Sequence, residues 1–376
     1  MGEFDKSQLE GASASVDEWY ADLEEYTRQG EPGRIARSSA WKTAIGLQAV
    51  DGLSTSDYLL ETAKDHIEGS IDISEAQRRI NAYYEQRDVR KEIEDGTREA
   101  DVVSAHIAEL LGEQSFTFKP AELARIHRRL FAGVFAHAGE WRTYNISKKE
   151  WVLKGGSVLY AAWDSVLDTL EYDFSQERTF SYKGISSDEL VCHIARFISG
   201  VWQIHPFCEG NTRTTAVFLI KYLRSLGFKV GNDAFAQNSW YFRNALVRAN
   251  YNDLQHGIRE STEYLELFLR NLLFNEKNEL KNRYLHIEWK NEAAQSAIKS
   301  AISDDPKCNN CTLEEGVALH ELSINPWITQ AELASLLGKS PRTVKSLTMR
   351  LQEKGLLVRE GGKRNGHWIV TKTPDG

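Results

Sequence analysis

The sequence is poor in cysteine, proline and long apolar runs, and each shortage excludes a class of protein. Its 376 residues contain four cysteines, too few for a disulfide-built scaffold, which suits a reducing compartment. Seven prolines leave long segments free to form helices. No apolar run is long enough to span a membrane, and the polar first residues lack the apolar core of a secretory signal. We therefore expect a cytoplasmic protein without membrane contact.

The distribution of charge is the unusual feature of what is present. The formal net charge is −8, yet residues 339–372 carry nine lysines and arginines against two glutamates. A basic cluster on an acidic chain favours a nucleic-acid partner, although a solvated helix face has the same composition.

Apolar residues at spacings of three and four predict a mainly helical chain. The patterns divide it into three parts, at residues 1–95, 96–285 and 286–376. The helices expected in the first part are 40–51, 56–68 and 74–86. A glycine stands where the first of these should end and Ser56 where the second should begin, which are typical stop and start signals.

The second and third parts differ in their β content. Residues 147–160, here called the flap, are rich in Trp, Tyr and Val around two glycines, which predicts a short β-hairpin. The third part is expected to contain helices at 313–322, 330–337 and 341–354, followed by two β-rich pieces. Helix, turn, helix and hairpin is the layout of a small winged-helix domain.

One segment, with the sequence HPFCEGNTR at 205–213, concentrates groups suited to phosphate chemistry. Its proline and glycine predict a tight turn before a helix, and the free N–H groups of a helix start bind anions. Arg213 adds a cation that pairs with phosphate oxygens. Glu209 would repel phosphate unless a divalent cation intervened, so it is a candidate Mg²⁺ ligand. His205 titrates near neutrality and is the candidate general base.

Simpler explanations exist for each of these residues taken singly. A histidine before a proline is commonly a turn residue, and Phe207 is a natural core residue. Glu209 and Arg213, four residues apart at a helix start, fit a surface ion pair. The combination of these types at this spacing, together with Asn211, favours the phosphate site.

The same segment resembles the signature of the Fic family (Fic/Doc), HxFx[D/E]GNxRxxR. The stretches FAHAGEWRTYNISK upstream and EYLELFLRNLL downstream resemble the family's entry to the flap and its closing helix. The resemblance implies an all-α Fic fold with a short β-hairpin flap, to which the small C-terminal winged-helix domain is added.

The family resemblance implies transfer of AMP from ATP to a Ser, Thr or Tyr hydroxyl of a protein target or of the chain itself. His205 would deprotonate that hydroxyl, and Glu209 would hold Mg²⁺ between the α- and β-phosphates. The residues expected to contact the nucleotide are Gly210, Asn211, Thr212, Arg213, Tyr241 and Asn250. The flap residues expected to align the target segment, by strand addition, are Lys148, Trp151 and Val152.

Two positions depart from the signature. Thr212 replaces the usual glycine and should crowd the phosphate cradle. Ala216 replaces the last arginine, which in relatives grips the γ-phosphate or pairs with an inhibitory glutamate. Weakened catalysis and a different nucleotide donor therefore stay open.

Residues 46–57 and 65–76 resemble the small antitoxins of Fic toxins, joined here in cis. The antitoxin pattern [S/T]xxxE[G/N] aligns with Leu47 and Asp51, which makes Asp51 the first inhibitory candidate and Glu68 the second. An ordinary helix C-cap, a glycine after a polar residue, is the alternative explanation for both residues and is favoured for Glu68. With Ala216 in place of its partner, Asp51 is expected to be unpaired, so Asp51→Ala should change self-modification little.

The C-terminal part resembles winged-helix domains. Its candidate DNA contacts are Arg342, Lys345, Arg350, Lys363 and Arg364. The same domain would also serve for dimerisation or target docking, and a homodimer stays open. The alternative to an enzyme is therefore a DNA-binding transcriptional regulator whose Fic unit is a degenerate nucleotide-binding module.

Overall fold

Local signals in the sequence explain where the N-terminal helices begin and end in the computed structural model. The model describes residues 19–20, 31–85, 96–230, 233–289, 318–319, 322, 325–337, 340–360 and 366–371. Helix α1 (Pro32–Gly46) begins at a proline and continues as a 3-10 turn, Leu47–Asp51. This turn ends at Gly52, whose φ of 71° suits glycine.

The next two helices are α2 (Asp57–Glu68) and α3 (Ile73–Glu85). Ser56 caps α2 by accepting a hydrogen bond from the Leu59 N–H, as the sequence predicted. The predicted helix at 40–51 in fact begins earlier and changes to 3-10 geometry in its last turn.

Seven further helices follow. They are α4 (Arg98–Gly112), α5 (Pro120–Leu130), α6 (Val166–Thr179), α7 (Ser187–Ile204), α8 (Asn211–Ser225), α9 (Ala234–Ala249) and α10 (Glu263–Phe274). Every residue from Asn211 to Leu223 is buried, so α8 is the central helix. Helix α1 packs against α4 and α9, which brings the N-terminal helices into contact with the second predicted part of the chain, 96–285.

The flap turns back as predicted, but not through paired strands. Its backbone forms a 3-10 turn at Trp151–Leu153 and reverses at Lys154 and Gly155, which both have positive φ. The N–H of Glu150 donates to the carbonyl of Gly156 at 2.9 Å, without a strand ladder around it. The sheet that the described residues do form lies in the C-terminal part.

The described residues fall into two compact units. The first lies within Met1–Tyr251 and Glu260–His286, and the second within Asn252–Arg259 and Ile287–Gly376. The predicted parts 1–95 and 96–285 therefore share one unit. None of the described helices has the length and apolarity needed to cross a membrane.

The described residues of the second unit include two α-helices and a hairpin close to the predicted positions. They are α11 (Gln330–Leu336), α12 (Pro341–Glu353), β1 (Leu357–Glu360) and β2 (His367–Val370). The strands are antiparallel, with Leu357 opposite Val370. A separate apolar core that includes Leu333, Val344 and Trp368 holds these elements together.

The candidate DNA contacts are only partly described. Lys345 and Arg350 are exposed on α12. Lys363 and Arg364 lie outside the described residues, as does the side chain of Arg342 and most of the predicted helix at 313–322. DNA binding and the winged-helix assignment stay predictions.

Candidate active site

His205 lies at the end of α7 in a left-handed conformation, with a φ of 50°. Its Nδ1 is 3.2 Å from the carbonyl oxygen of Trp202, and because a carbonyl only accepts, Nδ1 carries the proton. This leaves the lone pair on Nε2. Among the described residues Nε2 has no hydrogen-bond partner although it is buried. Burial, and then the nearby charge of Lys148, lowers the pKa of His205 well below its usual value, so the ring is neutral.

The ring of His205 is covered by the flap. The ring of Tyr160, near the end of the flap, lies 4.2 Å from it between centroids. The Trp202 ring lies 5.2 Å away, almost perpendicular. His205 is only 3% exposed, so its ring is shielded from solvent in this arrangement.

Arg142 fixes the backbone around His205. Its guanidinium donates to the carbonyl of His205 at 2.7 Å, to that of Tyr144 at 2.9 Å and also to that of Ala161. The side chain is buried and makes these bonds to carbonyls rather than to a carboxylate. Sequence reasoning missed this residue, although Arg142 lies inside the quoted stretch FAHAGEWRTYNISK.

The turn after His205 is closed by its own side chains. The Asn211 side chain accepts from the Phe207 N–H at 2.9 Å and donates to the Phe207 carbonyl at 2.8 Å. Phe207 is buried between the rings of His127 and Trp141, as its interpretation as a core residue predicted. His127 donates from Nε2 to the carbonyl of Glu209 at 3.1 Å, and burial lowers its pKa to about 4. Asn211 thus braces the loop in this arrangement.

Gly210 allows the turn to meet α8. Its φ is 71°, and a Cβ at this position would lie 2.2 Å from Cζ of Phe131. No other residue type fits here without displacing an aromatic ring. The backbone can therefore come close to whatever binds at the N-terminus of α8.

Glu209 presents its carboxylate to solvent. The side chain is 57% exposed, and its Oε2 lies 3.0 Å from Nζ of Lys148 on the flap. The described residues hold no group of three or more His, Cys, Asp or Glu side chains placed to bind a metal. Mg²⁺ commonly uses one carboxylate together with substrate phosphates and water, so Glu209 fits an ion that arrives with a nucleotide.

Arg213 is held by acidic and amide side chains. Its Nε is 2.9 Å from Oδ2 of Asp51, and its other nitrogens donate to Gln48 at 3.0 Å and to Glu99 at 2.6 Å. The expectation that Asp51 is unpaired is therefore wrong. The 3-10 turn carries Asp51 to Arg213, the arginine that the chain retains, instead of to the lost position at Ala216.

Gln48 and Glu99 were not singled out in the sequence. Gln48 lies beside Asp51 on the 3-10 turn, and Glu99 lies in the first turn of α4. No motif marks Glu99, and only the packing of α1 on α4 brings the two elements to the same guanidinium. Arg213 is only 2% exposed as a result.

The other predicted nucleotide contacts have partners inside the fold. The hydroxyl of Thr212 accepts from Nε1 of Trp202 at 3.0 Å, so its side chain is directed into the core. Tyr241 is buried. The Asn250 amide donates to the carbonyls of Ser199 and Leu246. The structure thus groups His205, Glu209 and Arg213 around one turn. The side chains of Thr212, Tyr241 and Asn250, in contrast, are packed inside the fold.

The second inhibitory candidate and the remaining flap residues have ordinary environments. Glu68 is the last residue of α2, and Gly69 follows with a φ of 84°, as in a helix C-cap. Val152 is buried, whereas Trp151 is half exposed beside the ring of His286.

The part of the chain that contains this site is similar to known proteins. Residues 117–223 match the model of the Fic/DOC family. A solved structure similar to this chain is the N-terminal Fic domain of a Bartonella effector protein (Bep) from Bartonella sp. AR 15-3. It shares 20% sequence identity over 50% of this chain and 85% of that chain, with a TM-score of 0.39. The residues matched by the family model include the flap, His205 and Arg213, whereas Asp51 and Glu99 lie outside them.

Proposed function

The chain carries a Fic domain at residues 117–223, and from this we propose that it is a nucleotidyltransferase. It would transfer AMP from ATP to a Ser, Thr or Tyr hydroxyl of a target protein or of itself. The observation that carries the proposal is Nε2 of His205, an unpartnered lone pair beside a helix N-terminus and an exposed carboxylate. A buried polar atom without a partner lowers stability, so its presence at this position points to a chemical role.

The neutral ring of His205 would act as the general base. Nε2 accepts the proton of the target hydroxyl as its oxygen bonds to the α-phosphorus, and the bond from that phosphorus to the β-phosphate bridge breaks to release pyrophosphate. The Trp202 carbonyl holds the Nδ1 proton and so orients Nε2. Glu209 would hold Mg²⁺, which when bound compensates the charge of the phosphates.

The arrangement of Arg213 supports an inhibited state. Asp51 and Glu99 place two carboxylates against the guanidinium of Arg213, which the resemblance assigns to the nucleotide. A phosphate and these carboxylates repel each other, so donor binding would require at least one of them to leave. We therefore propose that the 3-10 turn Leu47–Asp51 is inhibitory, with Asp51 as its acidic residue.

Intact mass after incubation with Mg²⁺ and each nucleoside triphosphate tests the function. We expect the mass of the Asp51→Ala variant, in which the proposed inhibition is relieved, to rise by one AMP with ATP, and His205→Ala added to this variant to abolish the rise. His256→Ala removes a well-exposed histidine outside the site and should leave the added mass unchanged. If no triphosphate adds mass to the chain or to an added proteome, the transferase proposal fails.

The regulator is the second candidate, and two observations favour it. Ala216 is buried and offers no charge to a nucleotide, and α12 exposes Lys345 and Arg350. Nucleotide binding without transfer, combined with a DNA footprint whose affinity falls steeply with salt, would select the regulator. Absence of a footprint would exclude it.

A further inference from the structure

The 3-10 turn Leu47–Asp51, here called the inhibitory turn, also contacts a second arginine, Arg243. Arg243 on α9 donates to the Val50 carbonyl at 2.6 Å and lies 3.5 Å from Oδ1 of Asp51. The same guanidinium pairs with Oε2 of Glu150, on the flap, at 3.1 Å. One cation therefore contacts both the 3-10 turn and the flap.

Glu150 depends on this cation. Its side chain is only 3% exposed, and burial raises its pKa, which the neighbouring charge of Arg243 opposes. A buried carboxylate deprived of its partner is strongly destabilised, so Glu150 and Arg243 keep each other in place. The O–H of Tyr160 donates to Oε1 of Glu150 at 3.5 Å, and the Tyr160 ring covers His205.

We propose that the inhibitory turn also keeps His205 closed, through Arg243, Glu150 and Tyr160. Arg243 and Glu150 are then positioning residues: they touch no reacting atom but determine whether Tyr160 covers the imidazole. The idea rests on the proposed function, because it takes His205 as the base and the 3-10 turn as inhibitory. Access of the target hydroxyl to His205 would then be blocked in addition to binding of the donor phosphate at Arg213.

The expected coupling follows from how the contacts are ordered. Exposing Nε2 requires Tyr160 to move, and this movement disturbs its bond to Glu150. Glu150 is held by Arg243, which the Val50 carbonyl and Asp51 hold in turn. Loosening either end should therefore loosen the other by the same factor, as coupled equilibria require.

Acylation of histidines by diethyl pyrocarbonate measures this without any nucleotide. The reagent modifies unprotonated, accessible imidazole nitrogens, and the rate at each histidine of the full chain is read by peptide mass spectrometry. We expect slow reaction at His205 in the wild type. We expect about fivefold faster reaction in Arg243→Gln and Glu150→Gln, with Asp51→Ala shifted in the same direction. Glu150→Gln keeps the shape of the side chain, which guards against a variant that fails to fold.

Two controls separate this linkage from other causes. Glu99→Gln relieves Arg213 without touching Arg243 or the flap, so His205 should react at the wild-type rate. His127 is buried and neutral and should stay protected in every variant. The proposal is overturned if Asp51→Ala reacts like the wild type, or if His127 becomes reactive in parallel with His205. Because no transfer is measured, failure here is distinct from failure of the mass experiment.

Discussion

At the scale of single residues, Arg213 shows how partners change the meaning of a motif residue. In the sequence it is a cation at the start of a helix, ready for phosphate. In the structure Asp51, Glu99 and Gln48 surround it, and its guanidinium lies 4.8 Å from the centre of the Phe131 ring. Although the second motif arginine is replaced by Ala216, Asp51 is not isolated, because it pairs with Arg213.

This environment predicts that removing a carboxylate beside Arg213 raises the affinity of the chain for ATP in the presence of Mg²⁺. Asp51→Ala and Glu99→Gln each remove a negative charge beside the expected phosphate site. Each should tighten binding about tenfold, with a larger gain in the double variant. Isothermal titration calorimetry on the full chain measures this. Asp51 should therefore have a larger effect than the sequence alone suggested.

Glu109→Gln provides a control on the same helix as Glu99. Glu109 pairs with Arg129 at 2.8 Å and makes no contact with Arg213, so its removal should leave ATP affinity unchanged. Equal affinity in the wild type and Glu99→Gln would contradict the assignment of Arg213 to the phosphate.

At the scale of helices, one buried carboxyl group joins the N-terminal helices α2 and α3 to α4. Asp101 on α4 accepts hydrogen bonds from the N–H and O–H of Ser56, the N-cap of α2. It also accepts from the hydroxyl of Tyr84 on α3, at 2.7 Å. Burial raises the pKa of Asp101 to about 6, against which these hydrogen bonds act.

The joint between these helices predicts a dependence of stability on pH. A raised pKa in the folded state means that the extra stability is complete below the unfolded-state pKa near 3.8 and is lost as the pH rises through about 6. Between these limits the wild type should lose about 3 kcal/mol of unfolding free energy relative to Asp101→Asn.

Urea unfolding of both proteins across this range measures the difference. Asp168→Asn, at an exposed carboxylate on α6, should follow the wild type at every pH. A constant difference between wild type and Asp101→Asn would show that Asp101 has the same pKa in both states.

At the scale of the whole molecule, the described residues form two apolar cores, one in each compact unit. That of the second unit is organised around Trp368, whose Nε1 donates to the Ile328 carbonyl at 3.3 Å. Its N–H donates to the Pro326 carbonyl at 2.7 Å, and the Arg359 guanidinium lies 4.9 Å from the centre of the ring.

Trp368→Ala should therefore destabilise the second unit by about 3–5 kcal/mol. Hydrogen exchange read by mass spectrometry should become faster across 341–360 and remain unchanged in α8. Trp327→Ala is the matched control, because Trp327 is 69% exposed and its loss should have little effect. Faster exchange in α8 would show that the two cores depend on each other.

Much of the fold was predictable because its signals are local. Helix α2 starts one residue after its predicted N-cap Ser56, since an N-cap and an apolar stripe are properties of neighbouring residues. The flap was misjudged as paired strands because its residue types favour β structure. Its backbone instead reverses at Lys154 and Gly155, and the segment packs through buried Val152.

The sequence by itself determined the helical framework, the turn from His205 to Arg213 and the match of residues 117–223 to the Fic/DOC family model. Each depends on residues close together in the chain, where spacing and chemistry suffice. Only the tertiary structure decided that Asp51 and Glu99 meet at Arg213, and that Arg243 contacts both the 3-10 turn Leu47–Asp51 and the flap. The residues of these pairs are distant in sequence, and their charges alone do not determine which of many oppositely charged residues each one contacts. The packing of α1 against α4 and α9 makes that choice.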